Sequence, residues 1–403
     1  MLRSVSARVL AHTKTQPVTG AAFRAFAANQ VRGYASTADI PEDTVSITLP
    51  ENSFDTYKCD KPSLEVQISK KEMVQMYTDM VAMRRMEMAA DALYKSKFIR
   101  GFCHLCTGQE AVSVGMEHAI TRADQIITAY RCHGFTMMRG ATVKQVIAEL
   151  LGRKDGISRG MGGSMHMFAR SFFGGNGIVG AQVPLGAGIA FAQKYMNNPS
   201  VTFALYGDGA SNQGQVFEAY NMAKLWDLPC VFVCENNRYG MGTSAARSSA
   251  STKYYTRGDY IPGIVVNGMD VLAVKQACAW AKEWTTSGKG PLVMEMSTYR
   301  YGGHSMSDPG TTYRTREEIQ HMRSTSDPIT GLKQRLLELD IISEADLKDI
   351  DKQARKSVDE AVAAAKESPE PNTDVLFQWI YQKGTEPKMI RGREPSENHY
   401  FSQ

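Results

Sequence analysis

Met73, Met76, Met80 and Met83 recur at spacings of three and four, which places them on one face of an α-helix, and Ser69 three residues ahead of Glu72 supplies a capping box to start it. Such a stripe is expected to be plain core packing, because methionine fills irregular gaps between helices. A second Thr–Glu pair, Thr107 and Glu110, predicts another capping box and a helix over residues 111–120. Residues 39–62 are polar, hold three prolines and keep no steady period, so an extended arm is expected there. From residue 201 the pattern changes to short apolar runs, at 201–206, 228–234 and 293–296, with a helical stretch over 213–226 between the first two. Runs without polar alternation belong to parallel strands covered on both faces. The expected fold class is therefore α/β, a parallel sheet with helices on both faces. Beyond Arg314 the chain turns charged and helical: Asp327-Pro328 opens one helix, Ser343 and Asp346 cap another that reaches Lys366, and Pro369-Glu370-Pro371 ends it. This C-terminal helical extension reads as a solvated outer layer.

Composition adds that 43% hydrophobic and 22% charged residues is ordinary for a globular chain of 403 residues, which excludes a disordered tail protein, a collagen-like fibre and a small disulfide scaffold. The most apolar stretch, residues 180–193, is Gly- and Ala-rich and carries Pro184, so no membrane insertion is expected. Residues 1–34 hold Arg3, Arg8, Lys14, Arg24 and Arg32 and no acid, the composition of a mitochondrial transit peptide, with a cleavage site suggested after Tyr34. Its removal turns a net charge of +4 into −1, and a nucleic-acid partner then loses its main support. The expected organisation is a transit peptide over 1–34, an arm over 35–68, an α/β domain over 69–326 and a helical segment with tail over 327–403. Seven cysteines in a reducing matrix are expected to be free. Cys103-His104-Leu105-Cys106 is literally a CxxC with Cys132-His133 downstream, yet His104 inside the pair could hardly join both thiols on one ion, and packed thiols are the better reading.

Chemistry concentrates where two strands end. The first ends at Gly207-Asp208-Gly209 and the second at Glu235-Asn236-Asn237, with a helix between them and 29 residues from Asp208 to Asn237. A right-handed βαβ crossover brings both ends to the carboxyl edge of the sheet, where α/β folds bind ligands. A carboxylate, an amide oxygen and a nearby backbone carbonyl form a hard-oxygen half-shell suited to Mg²⁺, which completes its octahedron with phosphate and water. Gly207 and Gly209 permit the tight turn and a close approach to the ligand. Upstream, residues 156–207 contain no Asp or Glu. Either that segment is buried or it is a surface kept free of carboxylates because an anion lies against it. Within it, Gly175-Asn176-Gly177-Ile178-Val179-Gly180 matches the dinucleotide GxGxxG, but that fingerprint needs a strand before it and an acid about 20 residues later, and no such acid occurs.

The paired GDG and NN elements resemble the thiamine diphosphate motif. With Gly101-Phe102-Cys103-His104-Leu105, Thr128-Ala129-Tyr130-Arg131-Cys132-His133-Gly134, the 175–182 run and Tyr299-Arg300-Tyr301-Gly302-Gly303-His304-Ser305-Met306-Ser307-Asp308-Pro309-Gly310, they resemble the α subunits of the thiamine diphosphate-dependent 2-oxo-acid dehydrogenases, those acting on pyruvate in mitochondria, over about residues 65–385. The resemblance implies the diphosphate-binding half of a thiamine diphosphate-binding fold. It implies Mg²⁺ held by Asp208, Asn237 and the Tyr239 carbonyl, the diphosphate by Tyr130 and Arg131, and the aminopyrimidine against Gly177 and Val179. Ala169, Gly209 and Ala210 would line the cofactor wall, and His104 and His304 would be the catalytic histidines that reach the active site. It further implies oxidative decarboxylation of pyruvate and reductive acetylation of a lipoyl group in the mitochondrial matrix. A β subunit would supply the Glu that activates the cofactor, in an α2β2 assembly. The other implied partners are the lipoyl domain and core of the dihydrolipoamide acetyltransferase and a regulatory kinase and phosphatase. Ser305, in a loop rich in Gly, Ser and Asp without a hydrophobic anchor, is the expected phosphorylation site, with Ser244 and Thr312 as further candidates.

Two departures from that pattern stand out. Gly302-Gly303-His304 replaces the His-Gly-His of many relatives, and Thr312 stands where a second regulatory serine is common. The nearest alternative is a branched-chain 2-oxo-acid dehydrogenase α subunit, against which the run Met306-Ser307-Asp308-Pro309-Gly310 argues. A scaffold subunit with a decayed site is opposed by the intact Asp208, Asn237, Arg131 and His304.

Overall fold

A computed structural model describes residues 43–401; the transit-peptide reading of 1–34 lies outside them. Within them, strands β1 (Thr44–Thr48) and β3 (Glu65–Ser69) pair antiparallel, while β2 (Phe54–Tyr57) leaves that ribbon to pair antiparallel with β9 at the edge of the main sheet. The arm expected over 39–62 is thus partly strand. Its described prolines, Pro50 and Pro62, fall outside the strands, where a missing N–H costs no ladder bond. The main sheet runs β2-β9-β10-β6-β5-β4, with β4 (Gln125–Ile127), β5 (Thr202–Gly207), β6 (Cys230–Asn236), β9 (Gly263–Asn267) and β10 (Leu292–Ser297) all parallel. The two-residue strands β7 (Tyr239–Gly240) and β8 (Thr243–Ser244) form a small hairpin after β6.

The apolar runs read from the sequence bury both of their faces. In β5, Phe203 and Leu205 join one core while Ala204 and Tyr206 join the other; in β6, Val231 and Val233 alternate in the same way with Cys230, Phe232 and Cys234. This is the strand period of two acting inside a sheet that is apolar on both sides. The first core is closed by helix Lys70–Lys95, whose Met73, Met76, Met80 and Met83 are fully buried, together with helices Glu110–Glu117, Val271–Trp284 and Glu344–Glu367. The second is closed by helices Gln182–Tyr195 and Gly214–Leu225. No described helix is long and apolar enough to cross a membrane.

Helix starts were partly misjudged from the sequence. Ser69 accepts the Glu72 N–H as foreseen, but the Glu72 carboxylate faces His118 and Lys275. The Thr107–Glu110 capping box does not form. The N-cap is Gln109, without a side-chain cap bond, and the Glu110 carboxylate takes the Gly108 N–H and the guanidinium of Arg84. The Arg84 guanidinium outbids the neutral Thr107 N–H for the buried carboxylate. That helix also stops at Glu117, because His118 at its end is drawn onto the carboxylates of Glu72 at 3.1 Å and Asp79 at 3.3 Å. The Ser343–Asp346 box is present in full.

His118 therefore ties two helices through charge, and its acidity reflects this. Burial alone would lower its pKa, but hydrogen bonds and proximity to Asp79 and Glu72 outweigh that and push it up to about 9. A histidine whose folded-state pKa is raised contributes stability that is complete below about pH 6.5 and lost as pH rises through about 9. We predict that His118→Gln is less stable than the parent by about 2–3 kcal/mol at pH 6, with the gap shrinking to about 1 kcal/mol or less by pH 9.5. Urea unfolding at both pH values checks this; a gap independent of pH would show that His118 acts by packing alone.

The acid-free stretch acquires its carboxylate from outside. Glu149, fully buried at the end of helix Val143–Leu150, accepts the N–H groups of Ser158 and Gly160 on one oxygen and of Gly162 and Gly163 on the other, at 2.7–3.1 Å. A loop of glycines and small residues is thereby wound about a single buried charge, with each donor matched to a carboxylate lone pair.

Candidate active site

The register of the sheet brings the two strand ends together. Gly207 of β5 pairs with Glu235 of β6, so Asp208 and Asn237 both emerge just past the carboxyl edge. Asp208 is 2% exposed, yet its Oδ2 has no hydrogen-bond partner, and neither has Oδ1 of Asn237. The Asn237 amide nitrogen is already spent on Oε1 of Gln109 at 3.0 Å, which leaves its oxygen turned away from Gln109 and available. Burial pushes the Asp208 carboxyl up to about 6. Two buried oxygens without donors are costly unless something electropositive meets them. Gly209 and Gly240 pack against each other beside this carboxylate: a Cβ built on Gly209 would lie 3.7 Å from the Gly240 Cα, and one on Gly240 would lie 3.9 Å from Oδ2 of Asp208, both ordinary contacts. Tyr239, the residue before Gly240, has its hydroxyl anchored on Glu318. Ala210 opens the short 3₁₀ turn that follows.

Three rings form the next wall. His104 lies 4.5 Å from Tyr130 and 5.2 Å from His304 between ring centroids, and Tyr130 lies 5.4 Å from His304. Arg131 joins their loops, donating to the carbonyls of Leu105 and of His304. Arg300, 1% exposed, donates to the carbonyls of Gly302 and Met241 and meets the Tyr313 hydroxyl, while its Nε has no partner. Neither guanidinium meets a carboxylate among the described residues, and each cation opposes the other. Burial first, and then Arg131, push His104 down to about 2 and His304 to about 4, so both rings are neutral at physiological pH. Nδ1 of His104 is buried and unpartnered. Two buried cations, two neutral imidazoles and a pair of orphaned oxygens describe a cleft built for an anion and a cation bound together.

Between these walls runs residues 103–107, bonded along both edges. On one edge the carbonyls of Cys103, Leu105 and Thr107 accept from Met306 N–H, Arg131 and Tyr301 N–H. On the other, the N–H groups of His104 and Cys106 donate to Ser164 Oγ and Glu87 Oε1. The cysteines of the CxxC are free and buried.

The predicted aminopyrimidine contacts form a separate wall. The backbone of 174–175 lies along residues 128–129, a Cβ on Gly177 would stand 3.2 Å from the His166 ring, and the Val179 carbonyl already accepts from Gln213 at 2.9 Å. Ala169 pairs with Phe172 in a tight turn on that side. Val179 and Ile178 are largely exposed.

The loop expected to lack anchors is instead held by polar ones. Asp308 takes the His304 N–H at 2.6 Å, the Gly310 N–H at 2.8 Å and the Tyr313 hydroxyl at 2.6 Å, while Arg314 grips the carbonyls of Arg300, Tyr301 and Gly302. Ser305 is 8% exposed and its Oγ lies 3.0 Å from that of Ser307. Ser244 is half-buried and Thr312 exposed. The sequence reading passed over Arg300, Gln109, Glu87, Ser164 and Glu149, and considered His133 only as a metal ligand. Arg300 sat inside a motif already noted, but buried partners many residues apart carry no local signal.

Comparison with known proteins is consistent with this cleft. The family described as "Dehydrogenase E1 component" matches residues 78–374. A relative from Chaetomium thermophilum, "Pyruvate dehydrogenase E1 component subunit alpha, mitochondrial", is 62% identical over 96% of this chain and 96% of its own. Relatives of the same description from Saccharomyces cerevisiae, at 64% over 89% of this chain and 86% of theirs, and from Schizosaccharomyces pombe, at 58% over 91% of each, are similar.

Proposed function

The chain belongs to the dehydrogenase E1 component family, and from that premise we propose that the cleft of Asp208, Asn237, Arg131 and the paired histidines is the diphosphate half of its cofactor site. Its activity is the thiamine diphosphate-dependent oxidative decarboxylation of pyruvate with reductive acetylation of a lipoyl group, in mitochondria and together with a β subunit. When bound, the cofactor supplies the nucleophilic carbon and the electron sink for loss of carbon dioxide.

The observation that carries the site assignment is the pair of buried, unpartnered oxygens on Asp208 and Asn237. They fit Mg²⁺, which takes hard oxygen ligands and bridges to phosphate, with the Tyr239 carbonyl as the third ligand from this chain. Arg131 and Tyr130 would hold the diphosphate, and Arg300 would add charge to that end of the cleft. Ala169, Gly177 and Val179 would border the aminopyrimidine, and Gly209 and Ala210 would line the diphosphate wall. His104 and His304 are held neutral, so each can accept or release one proton at a ring nitrogen, and the unpartnered Nδ1 of His104 is the atom poised to do so. The further partners in this reading are the lipoyl domain and core of the acetyltransferase, and a kinase and phosphatase acting at Ser305.

The reading predicts half an active site. The isolated chain should bind thiamine diphosphate with Mg²⁺ weakly and decarboxylate no pyruvate, whereas co-expression with a β subunit should restore both. Steady-state decarboxylation by each preparation is the test; robust turnover by the isolated chain would refute it.

A further inference from the structure

Glu87 and His133 are fully buried, and Nδ1 of His133 lies 2.9 Å from one oxygen of Glu87. Its Nε2 lies 2.9 Å from Oγ of Ser164, itself 5% exposed. The order carboxylate, imidazole, hydroxyl is that of a hydrolytic triad. Here, however, the serine oxygen is turned inward and accepts the His104 N–H at 3.2 Å. The other oxygen of Glu87 accepts the Cys106 N–H at 2.9 Å. Alternate N–H groups of an extended segment point the same way, so the chain docks one whole edge of 103–107.

Resting on the functional reading above, we propose that Glu87, His133 and Ser164 form a positioning chain that sets the place of His104 for the reaction. None of the three is among the groups assigned to cofactor or substrate; each acts through the backbone of the His104 segment. Burial would favour a neutral Glu87, but His133 and the Cys106 N–H outweigh it and keep the carboxylate charged. Nδ1 of His133 therefore carries a proton toward Glu87, which fixes the ring plane and with it the direction in which Nε2 meets Ser164. The other edge of the segment is held by Arg131 and by Met306 and Tyr301 of the 299–310 loop. His104 is thus clamped between the buried chain on one edge and the 299–310 loop on the other, and the buried chain sets the place of the ring.

The test uses the complex with the β subunit and the variants Ser164→Ala and His133→Asn, singly and together. For Ser164→Ala, the kcat for pyruvate decarboxylation should fall by about tenfold or more with KM for pyruvate within about twofold. The double variant should lose no more than about twofold beyond the worse single, because all links serve one contact. A second readout needs no cofactor: Cys103 and Cys106 flank His104 and are buried, as are Cys230, Cys234 and Cys278 in the sheet and its covering helix. In cofactor-free complex a thiol reagent should label Cys103 and Cys106 at least about fivefold faster in the variants, while the other three stay unchanged. Unchanged labelling, labelling raised equally at all five thiols, or a loosened segment with unchanged kcat would each overturn the positioning role. Should His133→Asn not fold, Ser164→Ala decides alone. A parent complex without pyruvate decarboxylation would overturn the functional reading instead, and selective labelling in the Ser164 variant would still support the tether.

Discussion

Asp208→Asn should reduce the affinity of the αβ complex for thiamine diphosphate with Mg²⁺ by at least about tenfold, while the cofactor-free protein becomes no less stable. The two effects share one cause. In the absence of a cation, Oδ2 of Asp208 is buried without a partner, and burial pushes its carboxyl up to about 6. An acid whose folded-state pKa is raised is destabilising above that pKa: the folded form loses stability as pH climbs from about 4 to 6, by about 2–3 kcal/mol in all. The neutral amide avoids that cost and keeps the volume, but surrenders the charge that a hard divalent ion requires. Titration of intrinsic fluorescence with cofactor at fixed Mg²⁺, and urea unfolding of the cofactor-free complex at pH 7, measure the two halves. Undiminished cofactor affinity would show that Asp208 is not a metal ligand, and a stability loss of about 2 kcal/mol would show that its charge is satisfied from within the protein.

Phosphorylation of Ser305 should lower pyruvate decarboxylation and lipoyl acetylation by at least about a hundredfold, which corresponds to about 2.7 kcal/mol. The hydroxyl is buried, Met306 beside it is bonded to Cys103, and the His304 carbonyl is held by Arg131. A phosphate of charge about −1.5 to −2 cannot be accommodated there, because Asp308 lies close by. At about 5 Å and an effective dielectric of 20, each unit pair repels by roughly 3 kcal/mol before screening. The segment must leave its seat, and the bonds that place His304 and one edge of the His104 segment leave with it. Arg131 and Arg300 would also attract the phosphate, in competition with the cofactor diphosphate. Ser305→Ala should stay active and resist kinase, and Ser305→Glu should be impaired with its unfolding midpoint within a few degrees of the parent. An Ala variant still silenced by kinase would move the switch to Ser244 or Thr312.

What could be read from the chain was whatever is written locally. The runs that became β5 and β6, the GDG and NN at their ends, the methionine stripe and the Ser343 cap each depend on residues within a few positions of one another, and each is found in the fold. What escaped depends on partners far apart. Glu110 abandons Thr107 for Arg84; β2 is a strand because it meets β9 some 200 residues on. The 299–310 loop, poor in apolar residues, looked unanchored because its anchors are Asp308, Arg314 and Arg131, and polar restraint leaves no hydrophobic trace. The site residues were found by resemblance to a family. The spacing of the GDG and NN elements by itself offers Asp208 and Asn237, but not Arg300, a buried guanidinium bonded to no carboxylate among the described residues.

The C-terminal helix Glu344–Glu367 buries Leu347, Ile350, Ala354, Val358 and Ala365 against helices Lys70–Lys95 and Val143–Leu150. Those two helices carry Glu87 and Glu149, the carboxylates that hold, respectively, the His104 segment and the loop leading to Ser164. A helix that looked like outer cladding therefore works as a spacer gauge. It sets the separation of the two struts from which the His104 segment and the loop that tethers it hang, and a worn contact in that distant seam would register as misalignment of the reacting groups long before it registered as unfolding.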